Sequence, residues 1–443
     1  MADGPPTIAV LGASGLIGQA IVEHLTGDDW NVAAFARHFT QAQRNAFGSS
    51  AIRHSLAGLD AQGLARMLSD ARADIVINCL GVLQDGANGT AEDIHVGFIE
   101  RLIDAIKAQV RPVLLIHLSV PGSAASDATA FSTTKRRAEG LIEASSIPHV
   151  ILRPGFVIAS TPFGGSALLR AIAALPVDLP QTEASRPFAV TSIDDVTRTV
   201  STVARRWRNG ETIWRAKWDV MERVPSSAGD VTAALRRRLG GPSPWFRMPA
   251  WMMAAGAALA DAAAFLGWMP PVRSTALAEM RRGVTGDPSA WTTATGIEPA
   301  ARDTAIRKAT AGVQDIWFAR MYLLKAIIIA SLVVFWIVSG AIALFASFQA
   351  ASAILESHGF SQPMADAATI VSSLADMSVG IAIAIRKTCK AGLWAGIALS
   401  LAYMLGAAVL TPELWIEPLG ALVKTGPAIV LMLVALAILP GRG

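Results

Sequence analysis

TIAVLGASGLIGQAIVEHL, Thr7 to Leu25, decides how the first half of the chain is read. Thr7–Leu11 is a short apolar run suited to a buried parallel strand. It leads into Gly12-Ala13-Ser14-Gly15-Leu16-Ile17-Gly18 and then into a helical pattern of apolar residues at Ile21, Val22 and Leu25. A strand, a glycine turn and a helix in that order form the setting in which a glycine triplet seats a dinucleotide. Gly12 and Gly15 would let the backbone approach a pyrophosphate, and Gly18 would let helix and strand pack closely. The free N–H groups and dipole at the helix start favour an anion there. The stretch therefore predicts nucleotide binding in preference to a plain strand-to-helix turn.

The pattern continues outward. NVAAFARH (31–38) is a second strand, and an acidic residue at its end would bond a ribose 2′-hydroxyl. Arg37 stands there instead, with Arg53 able to assist, which favours the 2′-phosphate of NADP(H) over NAD(H). ADIVINCLGVLQ (73–84) is a third strand, ending at Asn78, Cys79, Leu80 and Gly81, where the chain must pass close to the cofactor. A helical stretch spans about 92–108. PVLLIHLSV (112–120) ends near Ser119, a helix carrying Lys135 follows, and HVILRPGFVI (149–158) is the next strand. Strands alternating with helices predict an α/β, Rossmann-type doubly wound parallel sheet.

GASGLIG (12–18), NCLG (78–81), the strand end at Ser119, Lys135 and LRPG (152–155) together resemble the short-chain dehydrogenase/reductase (SDR) superfamily in its extended or atypical branch. The resemblance covers about residues 1–215, including FAVTSIDDVTRTV (188–200). It implies that Asn78, Ser119, Lys135 and Pro154 line the nicotinamide side, with Ser119 and Lys135 the catalytic candidates. It also implies a tyrosine four residues before the lysine, which gives or takes the substrate proton. FSTTKRRAEG (131–140) keeps Lys135 but has Phe131 at that place. The only tyrosines, Tyr322 and Tyr403, lie in the apolar C-terminal part. Ser132, Thr133 and Thr134 carry aliphatic hydroxyls, much weaker acids than a phenol, and of these only Thr134 shares the helix face. Losing a positioned proton donor costs about 10²–10⁴ in rate, whereas Lys135 can still hold a ribose. The same departure resembles an atypical group that includes relatives of the nucleotide-binding accessory subunit of respiratory complex I, where the nucleotide is largely structural. His95 reads as a packing residue and Cys79 as a small buried filler.

Composition sets the class. The 443 residues are 52% hydrophobic and 16% charged, with mean hydropathy +0.44, too apolar for an ordinary soluble protein. The excess lies after Arg320. Two distant cysteines, Cys79 and Cys389, exclude a disulfide framework and a zinc site of the usual kind, and no metal is expected. MADGPPTIAVLGAS lacks a basic start and a long apolar run, so a secretion signal is not expected. Residues 205–247 hold ten Lys/Arg against four Asp/Glu, which suits either anionic lipid headgroups or a solvated face. No nucleic-acid motif is present.

Residues 216–320 read as a connector or substrate lobe. WFRMPAWMMAAGAALADAAAFLGWMPPV (245–272) suits an interfacial helix, a soluble helix or, least well, a span. Segments at about 323–347, 366–385, 391–411 and 418–439 each approach the ~20 apolar residues of a membrane span, predicting an all-α four-helix transmembrane domain over 321–443. VSGAIALF (338–345) and LSLAYMLGAAVLTPELW (399–415) resemble the DoxX-like family, some of whose members associate with quinone-linked oxidation. Arg386, Lys387 and Lys390 put their loop, the nucleotide domain and the C-terminus on the cytoplasmic side of a bacterial-type inner membrane. Counting along the spans places Asp376 about 15 Å and Lys424 about 9 Å from the outer face, within reach of a buried pair. That pair would be either a quinone or proton contact or a packing device.

The expected protein is a membrane-anchored, NAD(P)H-binding, oxidoreductase-like protein with weak or absent tyrosine-dependent catalysis. The alternative is an NAD(P)H-dependent oxidoreductase reducing a quinone or other lipid-phase acceptor. Membrane lipid, and a quinone or membrane redox complex, are the expected partners.

Overall fold

The computed structural model describes residues 6–28, 30–85, 89–268, 270, 273–309, 312–415 and 422–439. The chain divides into two compact units. One comprises Met1–Ala258 and Pro271–Ala319, the other Leu259–Pro270 and Arg320–Arg442.

The first unit is built on seven strands: β1 (Thr7–Leu11), β2 (Asn31–Ala36), β3 (Ala51–Arg53), β4 (Ala73–Asn78), β5 (Leu114–Leu118), β6 (His149–Pro154) and β7 (Arg215–Val220). They lie in the order β7-β6-β5-β4-β1-β2-β3, with every pairing parallel. β7 carries the sheet beyond residue 215, where the resemblance was expected to end. Ile8, Ala9, Val10 and Leu11 are all 0% exposed, as a strand covered on both faces requires.

One face packs under helix α1 (Leu16–Gly27) and the long helix Ile193–Arg208, through Ile21, Val22, Leu25, Val196, Val200 and Trp207. The other packs under α2 (Ala61–Asp70), α3 (Phe98–Lys107) and α4 (Ala130–Ala144), through Leu64, Leu68, Phe98, Leu102, Ala138 and Ile142. Local chemistry starts these helices. Asp60 caps α2 by accepting from the Gly63 N–H at 2.7 Å, and Thr129 and Ser132 form a capping box at α4. The stretch read as a connector returns to this unit: Trp291 is wholly buried in the first core and donates to Thr199 Oγ1 at 2.9 Å.

The second unit is helical. α5 (Val313–Ala341) starts in the first unit and continues as one apolar element to Ala346; α6 (Gln362–Ala384) and α7 (Cys389–Leu410) follow. Among the described residues these three are long and apolar enough to cross a membrane. The fourth apolar segment forms a shorter helix, Thr425–Ile438, and residues 418–421 of it lie outside the described residues. The helix Ala250–Phe265 is also too short to count as a span. It exposes Trp251, Leu259 and Phe265, and the segment after it packs within the second unit: the Trp268 indole donates to the Ala384 carbonyl at 2.7 Å and lies under the Arg386 guanidinium.

α6 and α7 form a hairpin closed by the turn at Ile385–Thr388. The packing depends on missing side chains. A Cβ at Gly392 would fall 2.8 Å from the Ile383 amide nitrogen, and one at Gly396 would fall 2.8 Å from the Met432 sulfur. Small residues of this kind let membrane helices approach.

Candidate nucleotide site

Strand order reverses between β1 and β4, so their carboxyl ends diverge into the crevice where doubly wound sheets bind ligands. The glycine turn lies at its mouth. Gly12 has φ +83°, a left-handed conformation that excludes most side chains. Its N–H and that of Ala13 both donate to the Phe35 carbonyl, at 2.9 and 3.0 Å, which ties the turn to β2. A Cβ at Gly18 would lie 2.4 Å from the Gly12 carbonyl oxygen, so the first turn of α1 sits against the loop only because Gly18 lacks one. No side chain caps α1 at Gly15, so the first N–H groups of the helix keep their capacity for an anion. A loop of small residues on an uncapped helix start fits the pyrophosphate of a pyridine nucleotide. Ala13 is buried, Ser14 is exposed, and Gly15, Leu16 and Ile17 are partly exposed around it.

Arg37 follows β2 and is exposed; its carbonyl accepts from Arg53 Nε at 3.2 Å, which brings the two guanidinium-bearing residues together at the β2 and β3 ends. At the end of β4, Asn78 Oδ1 accepts from the Leu80 N–H at 3.1 Å and its amide nitrogen lies 3.2 Å from His117 Nδ1. Gly81 is exposed in the crevice wall, and Leu80 and Cys79 are partly exposed. Cys79, expected as a small buried filler, packs against the first core while remaining partly exposed. Desolvation nonetheless pushes its thiol up to about 12, against the pull of Lys135, so it is inert as a thiolate.

Lys135 is buried and spans the crevice floor: its ammonium donates to the Leu80 carbonyl at 2.9 Å and to the Leu118 carbonyl at 2.8 Å. Burial brings it down to about 8, with Cys79 and Glu139 pulling the other way. Ser119 is buried beside Glu139 without a well-formed hydrogen bond for its hydroxyl. Pro154 is buried at the end of β6, and the following Gly155 N–H donates to Thr191 Oγ1 at 2.7 Å.

Phe131 stands in T-shaped contact with His95, the ring centres 5.6 Å apart. Both nitrogens of that imidazole are engaged. Nε2 accepts from the Val82 N–H at 3.0 Å, and Nδ1 lies 2.7 Å from Thr134 Oγ1, which itself donates to the Ala130 carbonyl at 2.6 Å. The consistent assignment is a neutral imidazole protonated at Nδ1. Burial, then Lys135, brings His95 down to about 3. The packing role expected of His95 is what the geometry gives, and neither it nor Thr134 is free to supply a proton where Phe131 stands.

Charged groups missed in the sequence fill the neighbouring side. Glu139 is buried and bonded by Arg153 and Arg136; Arg136 also pairs with Asp127 at 3.2 Å. The helix Ser274–Arg282 closes the set: Ser132 Oγ donates to Glu279 at 2.8 Å, Thr129 donates to the same carboxylate, and Arg282 donates to Glu279 at 2.8 Å and to the Pro121 carbonyl at 3.0 Å. These side chains are scattered from Asp127 to Arg282, and only the capping box at Thr129 and Ser132 carried a local sequence signal.

Residues 12–171 match a family described as NAD(P)H-binding, and residues 333–433 match the DoxX-like family. A search of curated proteins gave no match. Among solved structures, the chain is similar to UDP-glucuronic acid 4-epimerase from Bacillus cereus in complex with NAD, at 16% identity and TM-score 0.51, covering 71% of this chain and 97% of that one. It is similar to a human epimerase family protein with NADPH, at 15% identity and TM-score 0.50, covering 68% and 98%. It is also similar to Pal from Bacillus thuringiensis, at 12% identity and TM-score 0.51, covering 68% and 97%. At these identities the likeness concerns the fold alone. The chain thus joins a Rossmann-type region that matches an NAD(P)H-binding family to a helical region that matches the DoxX-like family and carries helices long and apolar enough to cross a membrane.

Proposed function

We propose that this protein is a membrane-anchored NADP(H)-binding protein whose nucleotide domain binds its cofactor but performs little or no tyrosine-type hydride transfer to carbonyl substrates. The observation that carries this reading is Phe131 against a His95 whose two nitrogens are both committed. In this reading Gly12 to Gly18 hold the pyrophosphate, Arg37 and Arg53 favour a 2′-phosphate, and Lys135, Asn78, Ser119 and Pro154 line the nicotinamide side. A bound nucleotide would bring a transferable hydride, and the chain's residues would supply its binding and orientation.

The positive charges at Arg386 and Lys387 in the turn and Lys390 at the start of α7 support placing it, with the nucleotide domain, at the cytoplasmic face of a bacterial inner membrane, against anionic lipid. Titration of the purified full-length protein with NADPH and NADH, followed by NADPH oxidation with carbonyl and quinone acceptors, tests the reading. Tight NADPH binding without turnover is expected. Sustained quinone-dependent oxidation would favour an oxidoreductase with a lipid-phase acceptor instead, and absence of binding to either nucleotide would overturn both.

A further inference from the structure

Asp376 lies within α6, about 12 Å from its Ala384 end and about 21 Å from its Gln362 end at the rise of an α-helix. An ion pair with Lys424 is not formed: the lysine is exposed at the N-cap of the last helix, and the carboxyl is met by Tyr403 of α7. The Tyr403 hydroxyl lies 2.8 Å from Asp376 Oδ1 and 3.3 Å from the Ser372 carbonyl. One phenolic hydrogen therefore faces two acceptors, and the spare position has a use. With Asp376 ionised, Tyr403 donates to the carboxylate. With one proton added, Asp376 donates to the phenol oxygen and Tyr403 turns its hydrogen to Ser372. Both states keep their hydrogen bonds without movement of the helices.

The surroundings favour the second state. On the helices packed against Asp376, the ionisable groups are Asp315, Arg320, Tyr322 and Lys325 on α5, Glu356 on the short helix Phe348–Glu356, Asp366 on α6, and Cys389, Lys390 and Tyr403 on α7. Among the described residues, Tyr403 is the one of these groups that bonds it. An ionised carboxyl without a cation is costly at membrane depth. The same layer is polar on independent grounds. Ser373 Oγ and Trp336 Nε1 are buried with no hydrogen-bond partner among the described residues. Gly340 brings α5 so close that a Cβ there would lie 2.5 Å from the Ser373 carbonyl and 3.0 Å from Asp376 Cβ. Asp376 and Tyr403 themselves are only partly buried, so the pair reaches the surface of the helical unit.

We propose that Asp376 and Tyr403 form a proton-binding site at membrane depth, in which Asp376 takes up one proton from water and holds it as a neutral acid against the phenol. This goes beyond the function proposed above and stands without it. Infrared difference spectra of the full-length protein in lipid vesicles test it, together with labelling by dicyclohexylcarbodiimide, which attacks carboxylic acids in apolar surroundings. A carboxylic-acid carbonyl band near neutral pH, absent from Asp376→Asn, is expected. Carbodiimide is expected to modify Asp376 in parallel. Tyr403→Phe removes a bond that is stronger to the charged form, so the band should persist to higher pH in that variant. A band without labelling still supports the site, because it reports the acid directly. An identical spectrum in wild type and Asp376→Asn across the pH range would overturn the proposal.

Discussion

Phe131 is the residue on which the chemistry turns. Installing the phenol, Phe131→Tyr, should leave NADPH affinity unchanged, because the ring lies on the His95 side while the anion cradle is built from Gly12 to Gly18. Gly18→Val should instead abolish nucleotide binding, since its first carbon alone would fall 2.4 Å from the Gly12 carbonyl. Equilibrium titration of both variants separates the two effects. His95 adds a pH dependence. Its folded value is brought from 6.5 down to about 3 by burial and by Lys135, so the unfolded chain binds the proton more strongly below 6.5. Stability present above about pH 6.5 is therefore lost as pH falls toward 3. His117, also held well below its usual value by burial, contributes in the same direction. Thermal unfolding midpoints between pH 7 and 4 should fall, and less steeply in His95→Gln; an unchanged slope would contradict the assignment. The glycine triplet was legible because the strand and helix that frame it are contiguous in sequence, and Lys135 only through the resemblance, since its bonds run to Leu80 and Leu118. The His95–Phe131 contact was not, since it joins two helices 36 residues apart.

Elements divide in the same way. Strands β1, β2, β4, β5 and β6 announced themselves as apolar runs, whereas the short β3 and the charged β7, Arg215–Val220, did not. The turn from α6 to α7 was legible as Arg386–Lys390, but the register of the hairpin it closes was not, and that register is what puts Tyr403 on Asp376. The pairing with Lys424 rested on a helix running unbroken from 418. Residues 422–424 instead form a turn and the helix begins at Thr425, which leaves the lysine at the exposed cap. Packing of α7 yields its own prediction. Gly396→Leu would drive a side chain into Met432 and Trp336. Overpacking of this kind costs about 1–3 kcal/mol, so the helical unit should unfold at lower temperature in detergent while NADPH affinity is unchanged.

On the scale of the whole molecule, composition separated a globular part from the apolar helical part after Arg320, and the glycine turn marked the first as nucleotide-binding. The return of residues 284–309 to the first unit was hidden, since Trp291 reaches the core from 92 positions beyond its partner Thr199. Trp291→Ala should cost about 3–5 kcal/mol, read as a large fall in the unfolding midpoint of the nucleotide domain. The central claim is that the crevice at the head of α1 binds a pyridine nucleotide while Phe131 withholds the proton. Calorimetric titration of the full-length protein with NADPH, with oxidation of the bound nucleotide followed in the presence of carbonyl acceptors, tests it most directly. Saturable one-site binding with negligible oxidation is predicted; no binding heat, or turnover at the rate of a tyrosine-bearing reductase, would contradict it.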